Sequence, residues 1–164
     1  MITFYTNPMS RGQIARWMLH EAEVEYEQVL LDYGTTMKDA AYLAINPMGK
    51  VPAIADDGKV VTETAAICAY IADRFPDAQL APKEAERADY FRWLFFAAGP
   101  MEAAWTARAF GFEPDAKQQI SAGYGTMDQV IAVLAAKFDT DDYVCGARMT
   151  AADVFVGGEI LFGQ

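Results

Sequence analysis

Short strand-like and helix-like segments alternate over residues 1–75, and this alternation constrains the fold more than any other feature of the chain. Residues 2–5 (ITFY) form a compact β run that Asn7-Pro8 breaks. Ser10 then opens a helical pattern with Ile14, Trp17 and Met18 on one face, and Ser10 with Gln13 has the capping-box spacing. Residues 26–32 (YEQVLLD) read as a second strand, and 36–45 (TMKDAAYLAI) as a short helix ended by Asn46-Pro47. Two further strands, 51–55 and 59–63, are joined at Asp56-Asp57-Gly58, a hairpin turn sequence. From Glu63 a helix is expected to bury Cys68, Ile71, Ala72 and Phe75 until Pro76 stops it. The order is βαβαββα. With a right-handed crossover in its first βαβ unit, it predicts a small sheet with helices on both faces.

The remainder reads as all-helical. Residues 77–82, with Pro76 and Pro82 at the ends of the connector, are expected to link a first domain over 1–76 to a helical domain over 83–164. In the first of these helices Phe91, Leu94, Phe95 and Ala98 mark one face, and Gly99-Pro100 is expected to kink or break it. Ile120, Tyr124, Met127, Ile131, Leu134 and Phe138 then fall at steps of four and three, a seam suited to antiparallel helix packing. A last helix starts at Thr150 with Asp153 in the capping-box position and runs to Gln164, so the sequence reads as stopping inside a helix.

Composition narrows the function classes. A hydrophobic fraction of 53% with 22% charged residues suits a folded core. A formal net charge of −10 opposes a nucleic-acid partner, because no basic stripe offsets phosphate repulsion. No apolar run reaches the roughly 20 residues of a membrane span, and the N-terminus lacks the pattern of a signal peptide. Cys68 and Cys145 are too few for a disulfide scaffold and suit a reducing, cytoplasmic setting; with one histidine they make no metal cluster. Cys68 is expected in the core, Cys145 partly exposed, and His20 on the helix surface.

Four motifs carry the chemistry: FYTNPMSRG followed by RWMLHE, then NPMGKVPAI, TETAAI and, far downstream, TAADV. In this order and spacing the chain resembles the glutathione transferase family over essentially its whole length, and is most similar to bacterial members with a serine or cysteine at the tip of the first helix. The resemblance implies an α/β thioredoxin-like N-terminal domain that binds glutathione and an all-α helical-bundle C-terminal domain. It also implies a cytoplasmic homodimer that joins glutathione to a small hydrophobic electrophile in detoxification, with no metal. The family's helical domain continues beyond the TAADV helix, so the sequence reads as lacking its last helices.

Residue roles follow from the resemblance. A free thiol has a pKa near 8.5, so lowering it by about 2 units needs about 2.7 kcal/mol of preference for the thiolate. A hydroxyl donated to sulfur supplies roughly 1.5–3 kcal/mol. Ser10 is the expected donor, Tyr5 the rival hydroxyl, and Arg11 adds positive charge beside the helix N-terminus. Val51-Pro52 resembles the family's cis-proline, leaving the Val51 N–H and C=O to pair with the cysteinyl segment as an added strand would. Glu63 and Thr64 would hold the γ-glutamyl end, the first through its ammonium, the second with helix N–H groups through its carboxylate. Lys50 and Lys38 would meet the glycine carboxylate. Leu94 and Phe95 are expected in the core, while Met101 and Trp105 are expected to line the electrophile pocket and Glu102 to reach a partner's glutathione. Two other readings share the fold: a glutathione-dependent reductase or isomerase, disfavoured by the absence of CxxC, and a non-catalytic interaction module.

Overall fold

The computed structural model describes residues 1–163, and the chain divides into two compact units, Met1–Ala81 and a second beginning at Pro82. The expected helical end at Gln164 lies outside the described residues.

In the first unit the order is β1 (Ile2–Thr6), α1 (Gly12–Glu21), β2 (Tyr26–Leu30), α2 (Ala40–Leu43), β3 (Ala53–Asp56), β4 (Lys59–Thr62) and α3 (Thr64–Arg74). The four strands form one sheet in the order β2-β1-β3-β4, with β1 parallel to β2 and the other pairs antiparallel. This is the expected thioredoxin-like βαβαββα arrangement. Ile2, Phe4 and Thr6 are buried on one face of β1, where the start of α1 approaches Thr6. Tyr5 points to the opposite face and packs with Val29, Ile45 and Val51 against Leu31, Met37 and Tyr42. Asp57 and Gly58 make the hairpin turn with φ of 48° and 79°, the left-handed pair a two-residue turn demands.

Three local expectations change. The helix over 36–45 is split: Thr36–Lys38 is a 3-10 turn, and Asp39 is extended (φ −68°, ψ 146°) ahead of α2. Aspartate favours such half-in positions over a helix interior. The Ser10–Gln13 capping box does not form, because the Gln13 amide donates to the Pro8 carbonyl at 2.7 Å. Phe75 is half-buried and already outside α3 (φ −121°, ψ 71°), since the residue before a proline is pushed out of the helical region.

Among the described residues the regular elements of the second unit are all helices, joined by loops. α4 (Arg87–Phe96) runs through a π-turn at Ala97–Met101 into α5 (Glu102–Ala109), so Gly99-Pro100 widens the helix without ending it. A π-turn is one way for a helix to continue past a residue that cannot donate to its ladder. The buried face of this rod is Tyr90, Trp93, Leu94, Ala97, Met101 and Ala104. Phe91 and Phe95, expected inside, are 42% and 73% exposed, and Trp93, between them, is 1% exposed. Aromatic residues sit on both sides of α4, so the apolar period alone cannot select the buried side.

The long seam from Ile120 to Phe138 is also interrupted. α6 (Gln118–Ser121) ends before a turn with Gly125 at φ 64°, and α7 (Met127–Phe138) starts afresh. A Thr126–Gln129 capping box fixes that start, with Gln129 N–H to Thr126 Oγ1 at 3.2 Å and the reciprocal bond at 2.9 Å. Val130 and Leu134 are buried on α7, while Ile120, Ile131 and Phe138 are exposed. α8 (Ala151–Phe162) begins as expected at Thr150: Asp153 accepts from the Thr150 N–H at 2.7 Å and from the Val144 N–H at 2.6 Å. Cys145 is buried beneath this cap, contrary to the expected partial exposure, and burial pushes its thiol pKa up. Cys68 is fully buried and His20 is exposed, as expected.

An ion pair links the start of this unit to the loop before α8. Arg148 Nε donates to Glu86 at 3.0 Å, with both side chains mostly buried. Hydrogen bonds from Arg148 and from the Lys83 N–H hold the Glu86 carboxyl below its ordinary value of 4.5. A lowered carboxyl pKa adds stability above the unfolded value that is lost as pH falls through the folded one. The urea midpoints of wild type and Glu86→Gln should therefore differ at neutral pH and converge as pH drops below 4.5. A constant gap across that range would assign the effect to packing.

Candidate functional site

Strand register gathers the motifs of the first unit at one end of its sheet. Tyr5 pairs with Ala53, and Ala53 pairs with Thr62, so the three lie in one row across β1, β3 and β4. The chain leaves β1 into residues 7–11, enters β3 from Lys50–Pro52 and leaves β4 into Glu63, all at that end. With strands about 4.8 Å apart, three strands span about 10 Å. An extended tripeptide covers a similar length, at about 3.5 Å per residue.

The 7–12 segment is held from both sides. The Asn7 amide donates to the Leu31 carbonyl at 2.8 Å, and its oxygen accepts the Met9 N–H at 2.9 Å. Ser10 is 5% exposed. Its hydroxyl donates to the Asn7 carbonyl at 2.7 Å and accepts the Gly12 N–H at 3.0 Å, so it caps α1 one residue away from the expected bond. Arg11 is half-buried at the N-cap position. Gly12 is obligatory here: a Cβ would overlap Thr6 Oγ1 and come within 2.9 Å of Ser10 Oγ. Tyr5 is not beside Ser10 on this loop; its ring lies 5.6 Å from that of Tyr42, under α2.

The second loop repeats the device of the first. The Asn46 amide donates to the Lys50 carbonyl at 2.8 Å, and its oxygen accepts the Met48 N–H at 3.1 Å. Tyr42 donates to the same Lys50 carbonyl at 2.6 Å; burial pushes its pKa up to about 12, so it stays a donor at physiological pH. Lys38 donates to the carbonyls of Met48 (3.2 Å) and Gly49 (2.9 Å). Gly49 has φ 57°, and a Cβ there would meet the Met37 carbonyl at 2.7 Å. Val51–Pro52 is cis, as the sequence led us to expect. Among the described residues no hydrogen bond takes up the Val51 N–H or C=O, and the exposed Lys50 ammonium makes no ion pair.

At the third strand end Glu63 is exposed and precedes α3 with φ 65°, ψ 117°. Such backbone costs a non-glycine residue about 1–3 kcal/mol and persists where surrounding structure imposes it. Among the described residues no side chain caps α3, so the first-turn N–H groups from Thr64 onward remain donors for an anion. The set therefore offers a carboxylate, a helix N-terminus, an unpaired strand edge and a cation, which together suit a zwitterionic peptide.

In the helical unit Met101 has no exposed surface, whereas Trp105 is half-buried with its indole N–H on the Glu159 carbonyl at 2.9 Å. Of these two, Trp105 alone keeps surface to meet a ligand. Glu102 is half-buried and accepts from the Thr106 hydroxyl at 3.4 Å. Asn7, Gly12, Tyr42 and Asn46 are absent from the expected site residues. The signal available was the repeated Asn-Pro-Met at 7–9 and 46–48, two asparagines placed to start side-chain turns.

Comparison with known proteins bears on this arrangement. Residues 1–73 match the family described as glutathione S-transferase, N-terminal domain. Glutathione S-transferase GstA of Escherichia coli O157:H7 is 32% identical over 119 residues, covering 70% of this chain and 58% of that protein. Elongation factor 1-gamma of Artemia salina is 30% identical over 133 residues, 79% of this chain and 30% of its own length. The chain thus spans little more than half of one relative and about a third of the other. A glutathione transferase homolog from Sulfitobacter, solved with bound glutathione, superposes with a TM-score of 0.73 at 26% identity, over 98% of this chain and 81% of that one.

Proposed function

The chain belongs to the glutathione S-transferase family, and from that premise we propose that it binds glutathione at the shared end of β1, β3 and β4 and conjugates it to a small hydrophobic electrophile. The observation that carries this reading is the register row Tyr5–Ala53–Thr62, which brings Ser10, Val51 and Glu63 to one sheet end. Glu63 pairs with the γ-glutamyl ammonium, and the Thr64 hydroxyl with the N–H groups of α3 receives its carboxylate. The Val51 N–H and C=O pair with the cysteinyl backbone beside cis-Pro52. Lys50 meets the glycine carboxylate. Ser10 donates its hydroxyl to the thiolate, and Arg11 adds charge at the start of α1; Tyr5 holds the reserve hydroxyl. Trp105 supplies apolar surface for the electrophile.

The exposed Phe91 and Phe95 on α4, with Arg87 5.2 Å over the Phe91 ring, form the face on which a second copy would pack. Among the described residues no helix is long and apolar enough to cross a membrane; the reading places the protein in the cytoplasm.

Similarity to an elongation factor subunit favours one alternative, a non-catalytic module. Retention on immobilised glutathione, followed by a conjugation assay with a chlorinated aromatic electrophile, separates the two. Retention and turnover are expected. Retention without turnover selects the module, and no retention ends the glutathione reading.

A further inference from the structure

We propose that Lys38 is a positioning residue for the Lys50–Val51 segment, acting through backbone carbonyls and not on the ligand; the inference rests on the glutathione reading above. Three successive carbonyls, those of Met48, Gly49 and Lys50, are each taken by a side chain from residues 38–46. Lys38 holds the first two at 3.2 and 2.9 Å. Tyr42 and Asn46 hold the third at 2.6 and 2.8 Å. The turn is closed tightly over the ammonium: a Cβ on Gly49 would lie 2.8 Å from Lys38 Nζ.

This geometry divides the labour between the two lysines. An ammonium has three donors, and Lys38 has directed two of them inward onto neutral carbonyls that need a partner. Charge-assisted bonds of this kind are short and directional, so they fix the turn as well as satisfying it. Lys50 contributes its carbonyl to the clamp, while its side chain is left to solvent at the same end of the sheet. The Lys50 carbonyl and the Val51 N–H share one planar peptide group, so fixing the Met48–Lys50 carbonyls sets the direction of that N–H and, through it, the path of the Val51 C=O that follows. Lys38 therefore governs how well the strand edge is aimed, and Lys50 governs recognition of a carboxylate.

Two ligands separate these roles: glutathione, and γ-glutamylcysteine, which lacks the glycine carboxylate. Calorimetric titration of the full chain gives a ratio of dissociation constants for the pair. Lys38→Met is expected to weaken both ligands by the same factor, about fivefold or about 1 kcal/mol, leaving the ratio at its wild-type value. Lys50→Met is expected to bring the ratio toward one, and Lys38→Arg to keep most of the affinity. A ratio that collapses in Lys38→Met would make Lys38 a direct carboxylate contact and overturn the proposal. Amide exchange without ligand gives a readout independent of glutathione. The Met48 and Gly49 N–H groups, both bonded to Asn46, should exchange about fivefold faster in Lys38→Met while the sheet amides are unchanged. Unchanged exchange at Met48 and Gly49 overturns the clamp whether or not the chain retains glutathione.

Discussion

Replacing Ser10 by alanine is expected to raise the pKa of the bound thiol by about one unit and to slow conjugation near pH 6.5 about fivefold. The size follows from what the hydroxyl already does. It donates to the Asn7 carbonyl at 2.7 Å, and that carbonyl also accepts the Ser10 N–H at 3.1 Å. Turning the hydroxyl to sulfur therefore leaves the Asn7 carbonyl with one donor. The exchange trades a neutral hydrogen bond of about 0.5–1.5 kcal/mol for a charged one of roughly 1.5–3 kcal/mol. The net is about 1–1.5 kcal/mol, close to one pKa unit and below the two units a full shift to neutral pH requires. Helix N–H groups and Arg11 must supply the rest. The thiolate absorbance of bound glutathione against pH measures the shift, and the rate difference should close at pH values above the raised pKa. A shift produced by Tyr5→Phe and absent from Ser10→Ala would transfer the role to Tyr5.

The second large effect is expected at Glu63, where binding and stability should move in opposite directions. The residue holds φ 65°, which burdens any side chain with a Cβ. Glu63→Gln keeps the backbone conflict and removes the charge, and should cut retention on immobilised glutathione at least tenfold with little change in urea midpoint. Glu63→Gly removes the charge and the Cβ together. It should lose retention equally yet unfold at higher urea than Glu63→Gln, by up to about 1 kcal/mol after the entropy of glycine in the unfolded chain is set against the relief. Equal midpoints for the two variants would mean that the φ is not strained in solution. Undiminished retention in both would remove Glu63 from the site.

The first unit was legible in the sequence because its elements are short and bounded by strong punctuation. Asn7-Pro8, Asn46-Pro47, Asp57-Gly58 and Pro76 each fall between elements, and the hairpin and α3 follow where those residues place them. The helical unit was less legible for a definite reason. Along α4 apolar side chains occupy more than one face, so Phe91–Phe95 and Tyr90–Trp93–Leu94 satisfy the same period, and only packing selects the second. The seam through Ile120 failed because Gly123 and Gly125 interrupt a pattern whose spacing happens to continue across them. Within the site, the residues expected to touch a ligand were readable from the motifs. Those that hold the loops were not, because Tyr42 and Lys38 act on carbonyls eight and about ten residues away, beyond what local spacing encodes.

The paired asparagines have a consequence for the lifetime of the protein. Asn7 and Asn46 each need an amide that both donates and accepts, so conversion of either to aspartate would set a carboxylate against the Leu31 or Lys50 carbonyl. The common route to that conversion is attack on the side-chain amide by the backbone nitrogen of the following residue. Here that residue is Pro8 or Pro47, whose nitrogen carries no hydrogen. The two loops that frame the site are thereby shielded from deamidation, the chemical ageing to which an asparagine in an exposed turn is most prone.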